Sequence, residues 1–302
     1  MRIKIEKIPN PILKNSYPLK LLAKDFLWAY HPCVLERKGN YYMFYTGRSF
    51  SKNISHYLLL AKSSDLKNWT KLNKPILENG KRGSWDSDFL AHGFFFKDND
   101  RYFMLYDGSR KGRWLEEIGL AESRDLIHWE KYKNNPIFKV GRNSWEKRHV
   151  SRCCVYKEKG IYYLFYAGHD GKRERIGLVR GKSIYKLERF LRKPVLDVGE
   201  KGEWDGRSIS DPRVIKHKGK YLMFYSGIDA KGMERVGLSE SKDLINWSKF
   251  AKNPILDVSQ SSWDKVSATR ADIKRIDNSF YIFYSGKKKL LYNIGMAKLN
   301  IL

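Results

Sequence analysis

The stretch SDPRVIKHKGKYLMFYSG, residues 210–227, decides the fold, because near-copies of its second half recur along the chain. The copies are GNYYMFYTG from Gly39, DRYFMLYDG from Asp100, GIYYLFYAG from Gly160 and NSFYIFYSG from Asn278. Their aromatic runs are apolar without alternation, which is typical of strands covered on both faces. Five copies spread over the whole chain indicate five similar structural units.

Other motifs follow the aromatic copies in a fixed order. A glycine-containing strand comes next, as IGLAES at Ile118, IGLVRG at Ile176, VGLSES at Val236 and IGMAKL at Ile294. Three units then carry SDLKNW, RDLIHW or KDLINW, which end at Trp69, Trp129 and Trp247. A fourth strand follows as KPIL at Lys74, NPIF at Asn135, KPVL at Lys193 and NPIL at Asn253. A tryptophan also marks each unit, at Trp28, Trp85, Trp145, Trp204 and Trp263.

Sheets of four strands that repeat around an axis form a β-propeller, in which neighbouring sheets bury each other's faces. We therefore predict an all-β, five-bladed propeller with four-stranded blades in a single domain, residues 1–302. The blades are expected at residues 22–78, 79–138, 139–197, 198–257 and 258–302 plus 8–14. The fifth unit has no fourth strand, but NPIL recurs at residues 10–13. This N-terminal strand is predicted to pair with residues 292–298 and close the ring, which removes an exposed sheet edge.

Composition narrows the class of protein. The formal charge of +26 arises from 59 Lys and Arg against 33 Asp and Glu, and such a field attracts polyanions, although scattered lysines also serve solubility alone. No basic stripe alternates with aromatic residues, so nucleic acid is not an expected partner. No apolar run approaches the roughly 20 residues of a membrane span. Three cysteines form neither a disulfide framework nor a metal motif, so we expect a cytoplasmic protein without a metal.

Equivalent positions of the inner strands are found by counting back 16 residues from the glycine that ends each aromatic copy. These positions are His31, His92, Arg152, Asp211 and Arg270. They converge on one axis, so four cationic side chains are expected around one carboxylate, and their mutual repulsion predicts a bound anion. Asp211 is a candidate acid–base group. Alternatively, Asp-Pro starts a strand with an Asx-type turn, and Asp211 only holds Arg152 or Arg270 in place.

Loops that follow the same glycines are predicted to reach the same face. They contribute the candidate binding residues Arg48, Arg110, His169 and Lys287 and the carboxylates Asp170 and Asp229. Trp114, in the polar stretch RKGRWLEE, is a candidate for stacking on a sugar at the rim. The repeated tryptophans and tyrosines are instead expected in the cores of the units. His31 and His92 are equally consistent with ligand binding and with core histidines.

The order of YYMFYTG, SxDLxxW and NPIL along the chain resembles the five-bladed propeller superfamily of glycosidases: the β-fructosidases, the arabinosidase and xylosidase group, and the mannoside phosphorylases. The resemblance covers essentially the whole chain and implies a carbohydrate-active enzyme that cleaves a glycosidic bond. Members typically carry carboxylates at the starts of the first three inner strands, where this sequence has His31, His92 and Arg152. Only SDPR, with Asp211 and Arg213, keeps the Asp-Pro signature, and it lies in the fourth unit.

This departure from the superfamily pattern leaves two reactions open. Hydrolysis uses two carboxylates, so Asp170 or Asp229 would have to join Asp211. The resemblance to phosphorylases implies instead that Asp211 is the general acid, while Arg, His and Lys side chains hold phosphate as the nucleophile. The expected partner is an oligosaccharide or glycoside, neutral or acidic, with no cofactor except inorganic phosphate as a candidate co-substrate. The alternative is a non-catalytic propeller that binds acidic glycans.

Overall fold

The structure is a computed structural model that describes residues 1–20, 22–49, 56–110, 115–142, 144–260 and 262–302, with only the backbone described at Asn73 and Ser144. Within these ranges the chain is all-β, as predicted, and its only helical element is one turn of 3-10 helix, Ser144–Glu146. After a first strand, β1 (Ile3–Lys7), the strands fall into five consecutive antiparallel units, which we number in chain order.

Units one to four each contain four strands that pair in chain order. Unit one contains β2 (Trp28–Arg37), β3 (Asn40–Arg48), β4 (His56–Ser63) and β5 (Thr70–Leu77). Unit two contains β6 (Phe89–Asp98), β7 (Arg101–Ser109), β8 (Glu117–Ser123) and β9 (Glu130–Lys131). Unit three contains β10 (His149–Glu158), β11 (Ile161–His169), β12 (Glu174–Ser183) and β13 (Lys186–Glu188). Unit four contains β14 (Ser208–His217), β15 (Lys220–Ile228), β16 (Glu234–Ser241) and β17 (Ser248–Lys249).

Unit five receives its outer strand from the N-terminus. It contains β18 (Ser267–Ile276), β19 (Ser279–Lys288) and β20 (Leu291–Ile301), and β1 pairs antiparallel with β20. Leu13 forms a further antiparallel bridge with Ile294. The same bridge joins the fourth-strand motif to the third strand of units two, three and four, at Phe138, Leu196 and Leu256. The NPIL motif therefore contacts β20 as predicted, but the longer pairing lies at residues 3–7 and not at residues 10–13.

Neighbouring units bury each other's faces. The rings of Phe44 in β3 and Phe95 in β6 stack with their centroids 3.8 Å apart. Parallel bridges link Glu234 of β16 to the start of β18 and Trp28 of β2 to Tyr292 of β20. This two-sided burial explains why the aromatic runs do not alternate. No helix among the described residues is long and apolar enough to cross a membrane.

A buried contact of one chemistry recurs in all five units, and we call these contacts the outer anchors. A carboxylate that precedes the inner strand accepts a hydrogen bond from a tyrosine at 2.7–3.1 Å and pairs with a cation in or beside the outer strand at 2.6–2.9 Å. The anchors are Tyr45–Asp25–Lys71, Tyr106–Asp86–Lys131, Tyr166–Glu146–Arg189, Tyr225–Asp205–Lys249 and Tyr284–Asp264–Lys7. In unit five the N-terminal β1 supplies the cation.

Four of the anchor carboxylates follow a tryptophan. The four tryptophans are Trp85, Trp145, Trp204 and Trp263. An added Cβ at Gly108 would come within 2.6 Å of the Trp85 ring, which explains why the aromatic strand ends in glycine. In unit one Lys24 precedes the carboxylate of Asp25, so the prediction that Trp28 belongs to this tryptophan set is wrong. Trp28 is instead the first residue of the inner strand β2.

Candidate active site

The five ring positions share one unusual backbone conformation. Each has a positive φ, between 46° and 58°, at an irregularity that shifts the register of the inner strand. Residues other than glycine rarely adopt this conformation, and β-bulges of this kind re-aim a side chain. The residues are His31, His92, Arg152, Asp211 and Arg270. The five positions that the count along the sequence predicted to be equivalent therefore have the same backbone conformation.

The preceding unit holds the backbone N–H at four of these bulges. The acceptor is the side chain next to the glycine of the preceding aromatic strand: Ser285 for His31, Thr46 for His92, Asp107 for Arg152 and Ser226 for Arg270, at 2.8–3.1 Å. The corresponding residue before Asp211 is Ala167, which has no side-chain acceptor. Asp107 thus brings a second carboxylate to the ring. Its signal in the sequence was the YDG that stands where the other copies have YTG, YAG or YSG.

Asp211 is buried and bonded to two neighbours. Its Oδ1 lies 3.0 Å from His31 Nε2, and Ser210 Oγ donates to its Oδ2 at 2.7 Å. Burial alone would raise the pKa of Asp211, but the hydrogen bond from His31 and the charges of Arg152 and Arg270 hold it well below its usual value. Burial lowers the pKa of His31 to about 3, so a neutral imidazole faces an ionised carboxylate. The direct partner of Asp211 is therefore His31, and not an arginine.

His92 connects His31 to a second buried carboxyl group. The two imidazole centroids are 5.0 Å apart. His92 Nδ1 lies 2.9 Å from Asp107 Oδ2, and His92 Nε2 lies 3.0 Å from the Tyr30 hydroxyl. Burial raises the pKa of Asp107 well above its usual value, although the backbone N–H of Arg152 also donates to it. Ligand atoms of His92, Asp107 and Glu116 lie within 4.8 Å of one another, a spacing that a bound cation could bridge.

Arg152 and Arg270 are each paired with a carboxylate of a third strand. Arg152 Nη2 pairs with Glu174 of β12, and Arg270 Nη1 pairs with Glu234 of β16 at 2.5 Å. The expectation of unneutralised cations is therefore wrong, because the count along the sequence followed only the inner strands. The Nε of each arginine is buried without a partner, and its second terminal nitrogen makes no hydrogen bond within the described residues. Both guanidinium groups thus keep N–H groups that could donate hydrogen bonds to an anion.

Two of the predicted rim cations lie over aromatic rings. Arg48 Cζ is 4.1 Å from the centre of the Trp28 ring, and Lys287 Nζ is 5.2 Å from that of Tyr292. Cation–π contacts of this length hold the charge near the ring without neutralising it. The prediction for Trp114 falls outside the described residues.

The other rim cations have different surroundings. The His169 ring stacks on His149 with centroids 4.5 Å apart, and burial lowers the pKa of both imidazoles to about 4. Arg110 is partly exposed, and its Nη1 donates to the carbonyl of Gly83 at 3.2 Å. His169 is therefore a neutral group near pH 7.

Asp170 and Asp229 are engaged in equivalent surface turns. Oδ1 of each accepts backbone N–H groups two to four residues ahead, and Oδ2 pairs with Arg175 or Arg235 at 2.9–3.0 Å. Partial burial would raise the pKa of both carboxyls, but these donors hold it below the usual value. The contacts give each carboxylate a local structural role, and its predicted catalytic role stays a prediction.

Two family models match half of the chain or more. The model described as the glycosyl hydrolases family 32 N-terminal domain matches residues 95–263, and the model described as beta-1,4-mannooligosaccharide phosphorylase matches residues 1–152. Together with the all-β fold and the buried carboxylates, these matches define a carbohydrate-active enzyme. The chain belongs to the propeller superfamily of glycosidases and glycoside phosphorylases that contains both families, and it cleaves glycosidic bonds.

Two relatives in sequence are phosphorylases of Thermoanaerobacter sp. (strain X514). The 1,2-beta-oligomannan phosphorylase is 24% identical over 240 residues, which cover 76% of this chain and 75% of the relative. The beta-1,2-mannobiose phosphorylase is 24% identical over 248 residues, which cover 76% of each chain.

Solved structures share the fold over nearly the whole chain. The beta-1,2-mannobiose phosphorylase of Listeria innocua, in complex with beta-1,2-mannobiose, has a TM-score of 0.77 at 13% identity and covers 98% of this chain and 96% of its own. A thermostable family-43 glycoside hydrolase has a TM-score of 0.73 at 17% identity, with 91% and 90% covered. The fold is therefore that of the propeller glycosidases, as predicted.

Proposed function

We propose that this enzyme is a glycoside phosphorylase that cleaves β-mannosidic bonds with inorganic phosphate. The observation that carries the proposal is the state of Arg152 and Arg270. Each pairs one terminal nitrogen with a carboxylate and keeps further donors, and their charges act on Asp211. Guanidinium groups suit the geometry of a phosphate. The phosphorylases among the relatives support mannosides as the substrate class.

The proposed reaction uses Asp211 as the acid. Phosphate bound to Arg152 and Arg270 attacks the anomeric carbon, the bond from that carbon to the leaving oxygen breaks, and Asp211 donates its proton to the leaving oxygen. The products are a sugar 1-phosphate and the shortened saccharide. Asp211 then takes a proton from solvent before the next turnover.

Phosphate also supplies the proton-donating state of Asp211. In the free protein the arginine charges help to keep this carboxyl ionised. A phosphate dianion next to them offsets those charges, so the pKa of Asp211 rises when the nucleophile is in place and its protonation becomes easier. Without bound phosphate, Asp211 is harder to protonate and is a poorer acid, so hydrolysis by water is disfavoured.

A hydrolase is the second candidate, and the state of Asp107 favours it. Burial keeps Asp107 protonated while Asp211 is ionised, and two imidazoles connect the pair. Two carboxyls with pKa values driven apart are the usual acid and base of a glycosidase. In this reaction Asp107 would be the acid and Asp211 would activate water.

We further propose that the five units close into a five-bladed propeller that forms one domain, residues 1–302, with blades near the boundaries predicted from the sequence. The pairing of β1 with β20 and the ion pair of Lys7 with Asp264 support closure by the N-terminus. The three cysteines are free and buried, which supports the proposal of a cytoplasmic location. Phosphate is the only co-reactant that the proposal requires.

The test is incubation of the purified protein with β-1,2- and β-1,4-mannobiose, with and without inorganic phosphate. Mannose 1-phosphate should form only with phosphate present, and Asp211→Asn should slow its release by about 100-fold or more. Release of free mannose at the same rate without phosphate would show a hydrolase, and its loss in Asp107→Asn would identify the acid. Cleavage of neither disaccharide would remove the mannoside proposal.

A further inference from the structure

A row of three side chains at the open end of unit one is unused by the proposed reaction. Trp28, Arg48 and His56 lie opposite one another on the neighbouring strands β2, β3 and β4. Residues in this register point to the same face of the sheet. Arg48 Cζ lies 4.1 Å from the Trp28 ring centre, and the Trp28 and His56 rings are 5.7 Å apart. We call these residues the Arg48 cluster.

Two polar atoms of the Arg48 cluster have no hydrogen-bond partner among the described residues. Arg48 Nε and His56 Nδ1 are buried without a hydrogen bond. In the part of the chain that the structure describes, Arg48 pairs with no carboxylate, in contrast to Arg152 and Arg270, which each have one. An indole behind a guanidinium leaves its charge available and limits its hydration from that side. The charge of Arg48 is thus not neutralised by any carboxylate among the described residues.

The cluster adjoins the ring through one tyrosine. Tyr30 contacts Trp28 at 5.3 Å between ring centroids, and its hydroxyl lies 3.0 Å from His92 Nε2. Phe89 of unit two packs on His56 with centroids 5.1 Å apart, and the two residues before Phe89 help to line a cavity of about 510 Å³ with Arg82, Gly83 and Arg110. The Arg48 cluster is therefore linked to the ring through Tyr30 and to the border of this cavity through Phe89.

We propose that the Arg48 cluster binds an anionic group carried by the saccharide substrate, so that this enzyme prefers acidic sugars to neutral ones. The inference rests on the proposed function for the position of the substrate, but its ligand is distinct from the phosphate held by Arg152 and Arg270. A carboxylate and a phosphate ester present the same oxyanion edge to a guanidinium fork. The net charge of +26 attracts such substrates to the whole molecule.

The experiment measures binding and needs no turnover, so failure of phosphorolysis does not affect it. Mannose, mannuronate, mannose 6-phosphate and inorganic phosphate are titrated separately against the wild type and Arg48→Ala by calorimetry. The two acidic sugars should bind about tenfold more tightly than mannose to the wild type, because one charge-assisted contact is added. Arg48→Ala should lose this preference and keep its affinity for mannose. A preference for only one acidic sugar identifies the anionic group.

Two further variants act as controls. Arg48→Lys keeps the charge and the stem over Trp28 and should retain part of the preference. Arg124→Ala removes an exposed arginine just after β8, at the opposite end of the strands, and should leave all four affinities unchanged. Equal binding of neutral and acidic sugars by the wild type would overturn the proposal. The proposal would also be overturned if Arg48→Ala lost as much affinity for mannose as for the acidic sugars, or if it lost affinity for inorganic phosphate.

Discussion

The outer anchors and the inner ring use the same fivefold repeat in opposite ways. At the outer anchors the side chains repeat, since each unit joins a tyrosine, a carboxylate and a cation. At the inner ring the backbone repeats, with φ between 46° and 58° in every unit, but the side chains are two histidines, two arginines and one aspartate.

The difference separates the demands of the fold from those of the chemistry. An anchor carboxylate is buried and needs the same two partners wherever the unit stands, because an unpaired buried charge is costly. A ring residue only has to point toward the site that the five positions share, and the bulge re-aims the side chain whatever its chemistry. Five similar units can therefore hold one asymmetric site.

Deletion of residues 1–16 behind a new start methionine tests the anchors most severely. The deletion removes β1, Leu13 and the cation of one anchor, and it exposes the edge of β20. We expect loss of soluble, folded protein, measured by size-exclusion chromatography and thermal unfolding. A truncated protein with an unchanged melting temperature would show that unit five needs no outer strand. Addition of the peptide 1–16 in trans should restore solubility.

Substitution of one aspartate in each region tests whether the two roles separate. Asp211→Asn should lower turnover by about 100-fold to 10,000-fold with little change in melting temperature, because it removes a transferable proton and keeps the shape. Asp264→Asn should instead lower the melting temperature and spare turnover of the folded fraction. Steady-state kinetics and differential scanning calorimetry measure both. Similar kinetic losses in the two variants would contradict the separation.

Lys7→Ala tests the anchor contributed by the N-terminus against its equivalent in unit two. Asp264 is buried, but Lys7 is 23% exposed, so we expect a loss of about 1–3 kcal/mol of unfolding free energy. Lys131→Ala is the matched variant, since its ion pair with Asp86 has nearly the same length and exposure. Urea unfolding should give similar losses for both. No loss in Lys7→Ala beside a clear one in Lys131→Ala would show that the N-terminus does not anchor unit five.

The last expected effect concerns the pH dependence of stability at His149, which begins the inner strand β10. Burial lowers the pKa of His149 to about 4, whereas an unfolded histidine titrates near 6.5. Between these values the unfolded chain binds a proton that the folded protein excludes, so stability falls as the pH falls below 6.5. His149→Gln should therefore gain about 2 kcal/mol relative to wild type at pH 5 compared with pH 7. His128→Gln, at a side chain that is 80% exposed, is the control variant.

The sequence predicted the fold better than the site because the fold leaves repeated signals. Each aromatic copy predicted the second strand of its unit, and counting back from the glycines of these copies located all five bulges. The repeat of one tryptophan per unit placed Trp28 in the wrong set, because the sequence alone does not distinguish a tryptophan before an anchor carboxylate from one that begins an inner strand. The structure makes that distinction, because the other four tryptophan rings pack against the glycine that ends the aromatic strand and Trp28 does not.

The missed residues of the site lie on other strands than the ring. Glu174 and Glu234 begin third strands and reach arginines 22 and 36 positions away, and Asp107 reaches Arg152 from the preceding unit. A count along equivalent inner positions cannot show such contacts between strands. Asp107 was the exception with a visible signal, since an aspartate in a buried aromatic run departs from the other four copies.

The pairing of the N-terminus with unit five sets an order of events during synthesis. Lys7 and Asp264 are 257 positions apart, so β1 leaves the ribosome long before unit five and must wait until the strands of unit five have emerged. Closing so long a loop carries an entropic cost, and contacts this distant slow folding. During that interval β1 is an unpaired strand in a growing chain, which is the stage at which aggregation threatens. Translation speed and chaperone access should therefore affect the yield of this protein more than they affect its final stability.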